Sequence, residues 1–321
     1  MNYKPIVIVA GEPNSVFLEL FFKSFKKTKV KSPLILIASL KLVELQMKKL
    51  KFKKKILVLD KNNLNKYNLN NNYINLINID YNPKKAFESI SIKSNLYINK
   101  CFKEAFKVLN KYKFKKFING PINKKTFLNK NYLGMTEFIS KQFKIKKNAM
   151  LIYNKSLSVC PLTTHLPLNS VPKKINKKSI IEKVRLINDF YKKEFKFTPK
   201  IGILGLNPHC ESNKDYNEDE KIIRPAVNIL KKQKQNVSGP FPADTVFLKQ
   251  NRKKFNVILG MYHDQVLTPI KTLFEYDAIN ITLGLPFIRI SPDHGPNEKM
   301  LGKNLSNPLS LIKAINFLDK N

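Results

Sequence analysis

Short apolar runs alternate along this chain with segments of helical period, and this alternation restricts the fold more than any other feature. The first runs, at residues 6–9, 34–37 and 56–59, are rich in Ile, Val and Leu, as expected of buried strands. Residues 100–110 and the stripe of Ile180, Val184 and Ile187 instead repeat with the period of an amphipathic helix. Strands that alternate with helices predict an α/β fold.

The chain length indicates two lobes rather than one. A single hydrophobic core seldom grows beyond about 250–300 residues, and this chain has 321. The interval 62–89 is polar, rich in Asn and without a clean period. That composition predicts a loop-rich segment whose boundaries the sequence does not define.

The formal net charge of +36 arises from 59 Lys and Arg against 23 Asp and Glu. Such a charge is typical of proteins that bind nucleic acid, anionic membranes or acidic partners. Here the lysines are spread over the whole chain with many Asn and Ile, residues whose codons are rich in A and T. No nucleic-acid module or regular aromatic interleaving accompanies them. We therefore interpret the charge as nucleotide bias and expect no nucleic-acid partner, although a positive field can attract an anionic substrate.

The cysteines and the hydropathy indicate the cellular compartment. Cys101, Cys160 and Cys210 form no CxxC pair and are odd in number, which predicts neither a disulfide framework nor a thiolate zinc cluster. No uncharged apolar stretch reaches the roughly 20 residues that cross a bilayer. We expect a soluble, cytoplasmic protein without a membrane partner.

All four histidines stand in short motifs that differ from the lysine-rich background. They are His165 in residues 161–168, His209 in 205–209, His263 in 261–265 and His294 in 291–295. Strand-like runs precede the first three, at residues 157–159, 201–204 and 257–259. Because ligands of open α/β sheets bind at the carboxyl ends of strands, these imidazoles are candidate ligands. A single histidine is more often a surface or hydrogen-bonded core residue.

Three neutral imidazoles can hold a divalent ion and leave one coordination position open for substrate. The separations between His165, His209 and His263 are long, unlike the compact HExxH pattern. Spacing alone therefore leaves the metal interpretation open.

Seven motifs occur in order from the first strand to near the carboxyl end. They are Gly11 to Pro13, Asn119 to Lys124, Thr163 to Leu166, Leu206 to His209, Gly239 to Thr245, Tyr262 to Gln265 and Gly284 to Arg289. Together they resemble the ordered motifs of the 4-hydroxythreonine-4-phosphate dehydrogenase family. Any one of them would be weak evidence, whereas seven in order are not expected by chance.

The resemblance implies a two-lobed fold like that of isocitrate and isopropylmalate dehydrogenases, with the active site in the interdomain cleft. It also implies a homodimer whose active sites take residues from both subunits. We expect a discontinuous first lobe, residues 1–130 and 271–321, and a second lobe, residues 131–270, with the metal-ligand motifs and dimer contacts. NAD or NADP is expected to bind without a GxGxxG fingerprint, since the ten glycines form none, and its contacts stay unassigned.

Carried over position by position, the resemblance assigns His165, His209 and His263 as metal ligands. Zinc is the expected ion, with cobalt or magnesium as alternatives. Asp244 and Asp264, beside the motif histidines, are candidates for proton transfer or for orienting the ligands. Either carboxylate could instead cap a helix, Asp244 especially, because an apparent helix follows it.

The resemblance also assigns the residues that bind the phosphorylated substrate. Lys271, Asn280 and Arg289 match positions that hold it, and Arg289 stands within an apolar run, where a buried guanidinium needs an anion. Asn280 could instead close a turn. Met135 and Thr136 occupy the place of the family's usual His-Thr, and a thioether cannot replace the hydrogen bond of that histidine.

The reaction implied is NAD(P)-dependent oxidation of the secondary alcohol of 4-phosphohydroxy-L-threonine. Carbon dioxide then leaves the β-keto acid and yields 3-amino-2-oxopropyl phosphate, a step of pyridoxal 5'-phosphate (vitamin B6) biosynthesis. A bound metal would assist by acidifying the hydroxyl and polarising the carbonyl.

Several departures from the family pattern keep two alternatives open. Besides Met135, residues 14–17 replace a glycine-rich continuation, and residues 210–213 replace a small, glycine-containing loop after His209. One alternative is a related dehydrogenase of another phosphorylated sugar acid, such as 4-phosphothreonate. The other is a basic binding protein of reduced activity on a drifted enzyme scaffold.

Overall fold

The structure, a computed structural model, describes residues 3–128, 134–211, 217–292 and 295–320. The chain divides into two compact units, one formed by Met1–Tyr132 with Pro286–Asn321 and the other by Leu133–Leu285. The first unit is therefore discontinuous. His294 and the loop residues Ser212 and Asn213, which the sequence singled out, lie outside the described residues.

The first unit is built on a parallel sheet flanked by helices. In chain order its elements are β1 (Ile6–Val9), α1 (Phe17–Lys27), β2 (Leu34–Ala38), α2 (Leu40–Lys49), β3 (Ile56–Val58), β4 (Ile74–Asn78), α3 (Asn95–Lys111), β5 (Lys116–Asn119), α4 (Lys124–Phe127), β12 (Ile288–Ser291) and α11 (Leu309–Asp319). The strand order is β3-β4-β2-β1-β5-β12, and neighbouring strands are parallel.

The second unit carries a mixed sheet. Its elements are α5 (Met135–Gln142), β6 (Ala149–Tyr153), β7 (Ser158–Pro161), α6 (Lys177–Phe195), β8 (Ile201–Leu204), α7 (Arg224–Lys232), β9 (Val237–Phe241), α8 (Ala243–Val246), α9 (Lys249–Arg252), β10 (Val257–Gly260), α10 (His263–Phe274) and β11 (Ile279–Leu283). The strand order is β11-β6-β7-β10-β8-β9. Strand β6 is antiparallel to β11 and β7, whereas β7, β10, β8 and β9 run parallel.

The predicted α/β alternation is confirmed at the elements on which it rested. The first three apolar runs form β1, β2 and β3, residues 100–110 lie in α3, and Ile180, Val184 and Ile187 are buried in α6. Side chains of β7, β8, β10 and α10 form a core in the second unit, including Val159, Leu204, Ile258, Val266 and Ile270. No helix among the described residues is long and apolar enough to cross a membrane.

The interval at residues 62–89 is loop-rich, as predicted, but it also contains β4. This strand lies between β2 and β3. Its buried Asn75 donates side-chain hydrogen bonds to the carbonyl oxygens of Leu34 (3.0 Å) and Asn70 (2.8 Å). A buried polar side chain whose NH2 group is bonded to backbone carbonyls interrupts the apolar pattern by which strands are identified.

The second unit extends past residue 270, where the sequence placed its end, as far as Leu285. The reason is β11, which pairs with β6 along its whole length from Ile279↔Tyr153 to Leu283↔Ala149. An antiparallel ladder of this kind holds the strand to the unit that contains its partner.

The first two motifs of the chain meet at the carboxyl ends of β1 and β5. The backbone N–H of Glu12 donates to the carbonyl oxygen of Pro121 (2.9 Å), and that of Gly120 donates to Val9 (2.8 Å). Gly11 has a φ of +79°, and a Cβ added there would lie 2.4 Å from the Pro121 oxygen. Only glycine fits this turn without displacing the neighbouring backbone.

We predict that Gly11→Ala lowers the free energy of unfolding by about 1–3 kcal/mol, because alanine is strained at positive φ and collides with a carbonyl oxygen. Urea denaturation followed by circular dichroism measures the change. Gly295→Ala is the matched control, since a Cβ added at Gly295 would meet no described residue within 4 Å. Equal stability of the two variants would contradict the prediction.

Candidate active site

The three predicted metal ligands follow three adjacent parallel strands of the second unit. His165, His209 and His263 come after β7, β8 and β10, and β10 lies between the other two strands in the sheet. The strand-like runs predicted upstream of these histidines are thus confirmed. Because parallel strands end at the same edge of a sheet, the three loops that carry the imidazoles leave from one edge.

Two of the three histidines lie together. The ring centroids of His165 and His263 are 5.6 Å apart, with 36° between the ring planes. Two imidazoles on one tetrahedral zinc ion, with Zn–N bonds of about 2.1 Å, would have centroids roughly 5 Å apart, so this pair fits a shared ion. Among the described residues, however, no group of three or more His, Cys, Asp or Glu side chains is placed to hold a metal ion. His209 is exposed and does not form such a group with the pair.

The two predicted catalytic carboxylates occupy different environments. An Asp264 oxygen, Oδ1, lies 2.6 Å from Nδ1 of His263, and the Asp264 side chain is 79% exposed. A carboxylate on Nδ1 favours the tautomer whose Nε2 is the ligand atom. Asp244 is exposed in the first turn of α8, whose N-cap is Pro242. The alternative that Asp244 caps this helix was therefore wrong.

The backbone at two of the histidines adopts an uncommon conformation. His165 has a φ of 37° and His209 a φ of 55°, both in the left-handed region that non-glycine residues seldom occupy. Such conformations cost about 1–3 kcal/mol each and persist where the surrounding structure enforces them, often at functional sites. Cys210 follows with a φ of 63°.

Hydrogen bonds join the three histidine loops to one another. The Thr163 hydroxyl donates to the carbonyl oxygen of Met261 (2.8 Å), which links the His165 loop to the His263 loop. The Gln265 amide accepts from the backbone N–H of Met261 (2.7 Å) and donates to the carbonyl oxygen of Gly205 (2.8 Å). The relative positions of the loops are therefore defined by side chains that the sequence analysis did not assign to the site.

A further residue that sequence reasoning missed is Asp219, whose carboxylate is fully buried. Its oxygens accept hydrogen bonds from the backbone N–H groups of Leu206 (2.8 Å) and Asn207 (3.1 Å) and from the Asn207 side chain (2.8 Å). A Cβ added at Gly205 would lie 2.6 Å from the carboxylate and 2.7 Å from Cys210 Sγ. The one sequence signal was an acidic run, residues 218–220, in a lysine-rich chain.

The helix α5 begins beside His165. A Cβ added at Gly134, the N-cap residue, would lie 3.3 Å from His165 Cδ2 and 2.9 Å from Glu137 Oε2. Met135 and Thr136 are the first residues of the helix and are half-buried. Glu137 Oε2 is buried and has no hydrogen-bond partner among the described residues. The predicted substrate residues Met135 and Thr136 thus belong to the same unit as the histidines.

The remaining predicted substrate residues divide between the two units. Lys271 is exposed near the end of α10, and Asn280 lies within β11, so the alternative that Asn280 closes a turn was wrong. Asn280 Oδ1 is buried and unpartnered among the described residues. Arg289 belongs to the first unit, where it is only 2% exposed and donates from Nε to Asn119 Oδ1 at 2.7 Å. A neutral amide thus contacts this buried guanidinium.

The first unit also holds a buried acid at the ends of its strands. Burial raises the pKa of Glu12 above its ordinary value, while hydrogen bonds from the Asn14 backbone and the Ser94 hydroxyl act in the opposite direction. Glu12 is the second residue of the first motif and is only 1% exposed.

A cavity of about 380 Å³ in the second unit adjoins the residues on either side of His165, namely Thr164 and Leu166. Four of its lining residues are lysines, at positions 146, 147, 174 and 183, and one is a carboxylate, Glu182. This carboxylate forms an ion pair with Lys147 (3.1 Å). The lining of this cavity therefore carries a net positive charge, which favours anionic ligands.

Comparisons with known proteins agree with the motifs. A profile of the family described as "Pyridoxal phosphate biosynthetic protein PdxA" matches residues 29–318. The chain is 41% identical over 246 residues to the 4-hydroxythreonine-4-phosphate dehydrogenase of Sulfurihydrogenibium sp. (strain YO3AOP1). The aligned region covers 75% of this chain and 74% of that protein.

Solved structures are similar over nearly the whole chain. A 4-hydroxythreonine-4-phosphate dehydrogenase from Burkholderia phymatum has a TM-score of 0.81 and 27% identity, and the match covers 99% of this chain and 98% of that one. Isocitrate dehydrogenase from Methylococcus capsulatus has a TM-score of 0.51 and 8% identity over 97% of this chain and 83% of that one, a likeness of fold alone. The predicted fold class is thereby confirmed.

Proposed function

The chain belongs to the PdxA family of pyridoxal phosphate biosynthetic proteins, and on that premise we propose that it oxidises and decarboxylates 4-phosphohydroxy-L-threonine. The product would be 3-amino-2-oxopropyl phosphate. The observation that carries the proposal is the pair of His165 and His263 rings, 5.6 Å apart at the carboxyl edge of a sheet. A dehydrogenase of this kind uses a nicotinamide cofactor, for which we propose NAD, with NADP as the alternative.

We propose that His165, His209 and His263 hold a divalent ion, zinc by preference and cobalt or magnesium otherwise. Imidazole nitrogens suit a borderline ion such as zinc, and the spacing of the His165–His263 pair fits a common ion. His209 would be the third ligand, which requires its exposed imidazole to approach the other two. When bound, the ion would supply Lewis acidity that acidifies the substrate hydroxyl and polarises the ketone.

The roles of the protein groups follow from their positions. Asp264, at 2.6 Å from Nδ1, would orient His263 and fix its tautomer. Asp244, exposed at the start of α8, is the proposed group for proton transfer from the substrate hydroxyl. Lys271, Asn280 and Arg289 would hold the phosphorylated substrate. Donors at these positions suit phosphate and carboxylate oxygens.

We further propose a cytoplasmic homodimer in which each active site takes residues from both subunits. The buried free thiols of Cys101, Cys160 and Cys210 suit a reducing compartment. The net positive charge that lines the cavity beside Thr164 and Leu166 suits a small anionic substrate rather than a neutral one.

A second candidate function rests on Met135. With Met135 in place of the family's histidine, the pocket could accept a different substrate. The enzyme would then be a dehydrogenase of another phosphorylated sugar acid, such as 4-phosphothreonate. Turnover of each acid, followed as NADH absorbance, separates the two candidates. A third reading, a basic binding protein without turnover, predicts retention on nucleic acid with a steep salt dependence instead.

The metal site is tested by alanine at His165, His209 and His263, singly and together. We expect each single variant to weaken zinc binding by more than about 100-fold, beyond the roughly 10- to 100-fold typical of residues that only support ligands. Zinc content after dialysis and competition with a chromophoric chelator give the affinity. A triple variant with the metal content and chelator-sensitive activity of the parent would contradict the assignment.

Arg289→Met tests the substrate role of the buried guanidinium. Loss of charge-assisted hydrogen bonds, worth about 1.5–3 kcal/mol, should raise KM for the phosphorylated substrate roughly 10- to 150-fold and leave KM for NAD nearly unchanged. Lys116→Met is the control, because Lys116 is a buried cation of the neighbouring strand β5 with no assigned substrate contact. Equal effects on both KM values would indicate a folding defect or another role.

Met135→His tests whether the pocket accepts the family's substrate. A regained hydrogen bond, worth about 0.5–3 kcal/mol, should raise kcat/KM for 4-phosphohydroxy-L-threonine roughly twofold to 150-fold. Zinc affinity and thermal stability should change little. A folded, metal-loaded variant no faster than the parent would favour the second candidate function.

A further inference from the structure

We propose that Asp219 is the positioning residue for His209, through its buried carboxylate, and that this role sets the affinity of the metal site. The proposal rests on the metal assignment of the preceding subsection. Asp219 touches neither substrate nor cofactor in this scheme. It acts by fixing the backbone that leads into the third ligand.

The carboxylate makes its hydrogen bonds to the segment before His209. Oδ1 accepts from the N–H of Leu206, and Oδ2 accepts from both the backbone N–H and the side chain of Asn207. Asp219 is fully buried, and a buried carboxylate is tolerated only where such donors compensate its lost hydration. Its position is therefore coupled to that of residues 206–207.

The segment is held from its other side as well. The Gln265 amide donates to the carbonyl oxygen of Gly205, and Gln265 belongs to α10, the helix that begins at His263. Gly205 leaves no room for a side chain, since a Cβ there would lie 2.6 Å from Asp219 Oδ1. Residues 205–207 are thus held between the carboxylate and the helix that carries another proposed ligand.

The distance from this segment to the ligand is short. Only Pro208 separates Asn207 from His209, and the proline ring fixes one of the two backbone dihedral angles of that residue. His209 itself adopts the left-handed conformation, which requires support from its surroundings. A shift of residues 206–207 would therefore move the His209 imidazole.

The experiment is a double-mutant cycle on zinc affinity with Asp219→Asn and His209→Ala. We expect D219N to weaken zinc binding 10- to 100-fold in the parent, the range typical of residues that orient ligands. In the H209A background D219N should add less than about twofold, since its target is gone. Cobalt absorption spectra should change with D219N in the parent and not in H209A.

Asp319→Asn is the matched control, because Asp319 also accepts backbone N–H bonds, from Lys31 (3.1 Å) and Ser32 (2.6 Å), but in the first unit. Its zinc affinity should equal that of the parent. If D219N does not fold, Asn207→Ala removes one donor to the carboxylate and should weaken zinc binding in the same direction, by a smaller factor. Unchanged affinity in N207A would then overturn the proposal.

The outcomes distinguish a wrong metal site from a wrong role of Asp219. Unchanged zinc affinity in H209A would remove His209 from the metal site, and the role of Asp219 with it. If H209A loses affinity and D219N does not, the metal site stands and the positioning role is wrong. An equal loss on adding D219N to the parent and to H209A would reduce Asp219 to a structural residue.

Discussion

The parallel pairing of β10 with β7 on one side and β8 on the other is the constraint on which the candidate site depends. Val257 is in register with both Ser158 and Ile201, so the three strands reach the edge of the sheet together. The loops that follow them must then leave from neighbouring points. This register places the loops of His165 and His263 side by side, although the two residues are far apart in the sequence, and their ring centroids are 5.6 Å apart.

Just beyond the carboxyl end of a strand, the backbone N–H and C=O groups no longer pair within the sheet, and they need other partners. Here the partners are side chains: Thr163 and Gln265 bind Met261, and Gln265 also binds Gly205. The same bonds that satisfy the strand ends therefore determine where the histidine loops go. Gly260 lets α10 pack close to the end of β10, because a Cβ there would lie 2.4 Å from Val266 Cγ1 and 3.0 Å from the Gln265 oxygen.

The sequence predicts the parts of this structure that follow from local pattern. The runs before His165, His209 and His263 could be predicted as strands, because they are short and apolar like other buried strands of α/β proteins. Strand β4 escaped prediction because the polar Asn75 is buried in it, where its NH2 group bonds to Leu34 and Asn70, contacts that exist only once the sheet has formed.

The supporting residues of the site escaped prediction for a related reason. Asp219 stands in an acidic run of the kind usually found on the surface. Its burial depends on hydrogen bonds from the N–H groups of residues 206–207, and no local sequence pattern indicates this contact. The boundary near residue 270 had the same origin, since the pairing of β11 with β6 joins segments more than 100 residues apart. Local pattern thus predicted the strands that lead to the candidate residues, whereas long-range hydrogen bonds determine how the loops that carry those residues are held.

The methionine at the start of α5 shows how selectivity and attraction can be separated in this protein. The first turn of a helix presents backbone N–H groups to an anion whatever side chain stands there, so at the proposed substrate site Met135 would remove a side-chain donor and leave that attraction in place. The net charge of +36 adds an attraction that does not distinguish one phosphorylated acid from another. In the proposed site, discrimination would then come from groups of fixed geometry. Arg289, a proposed substrate residue whose Nε donates to Asn119, is such a group, and a flexible thioether is not.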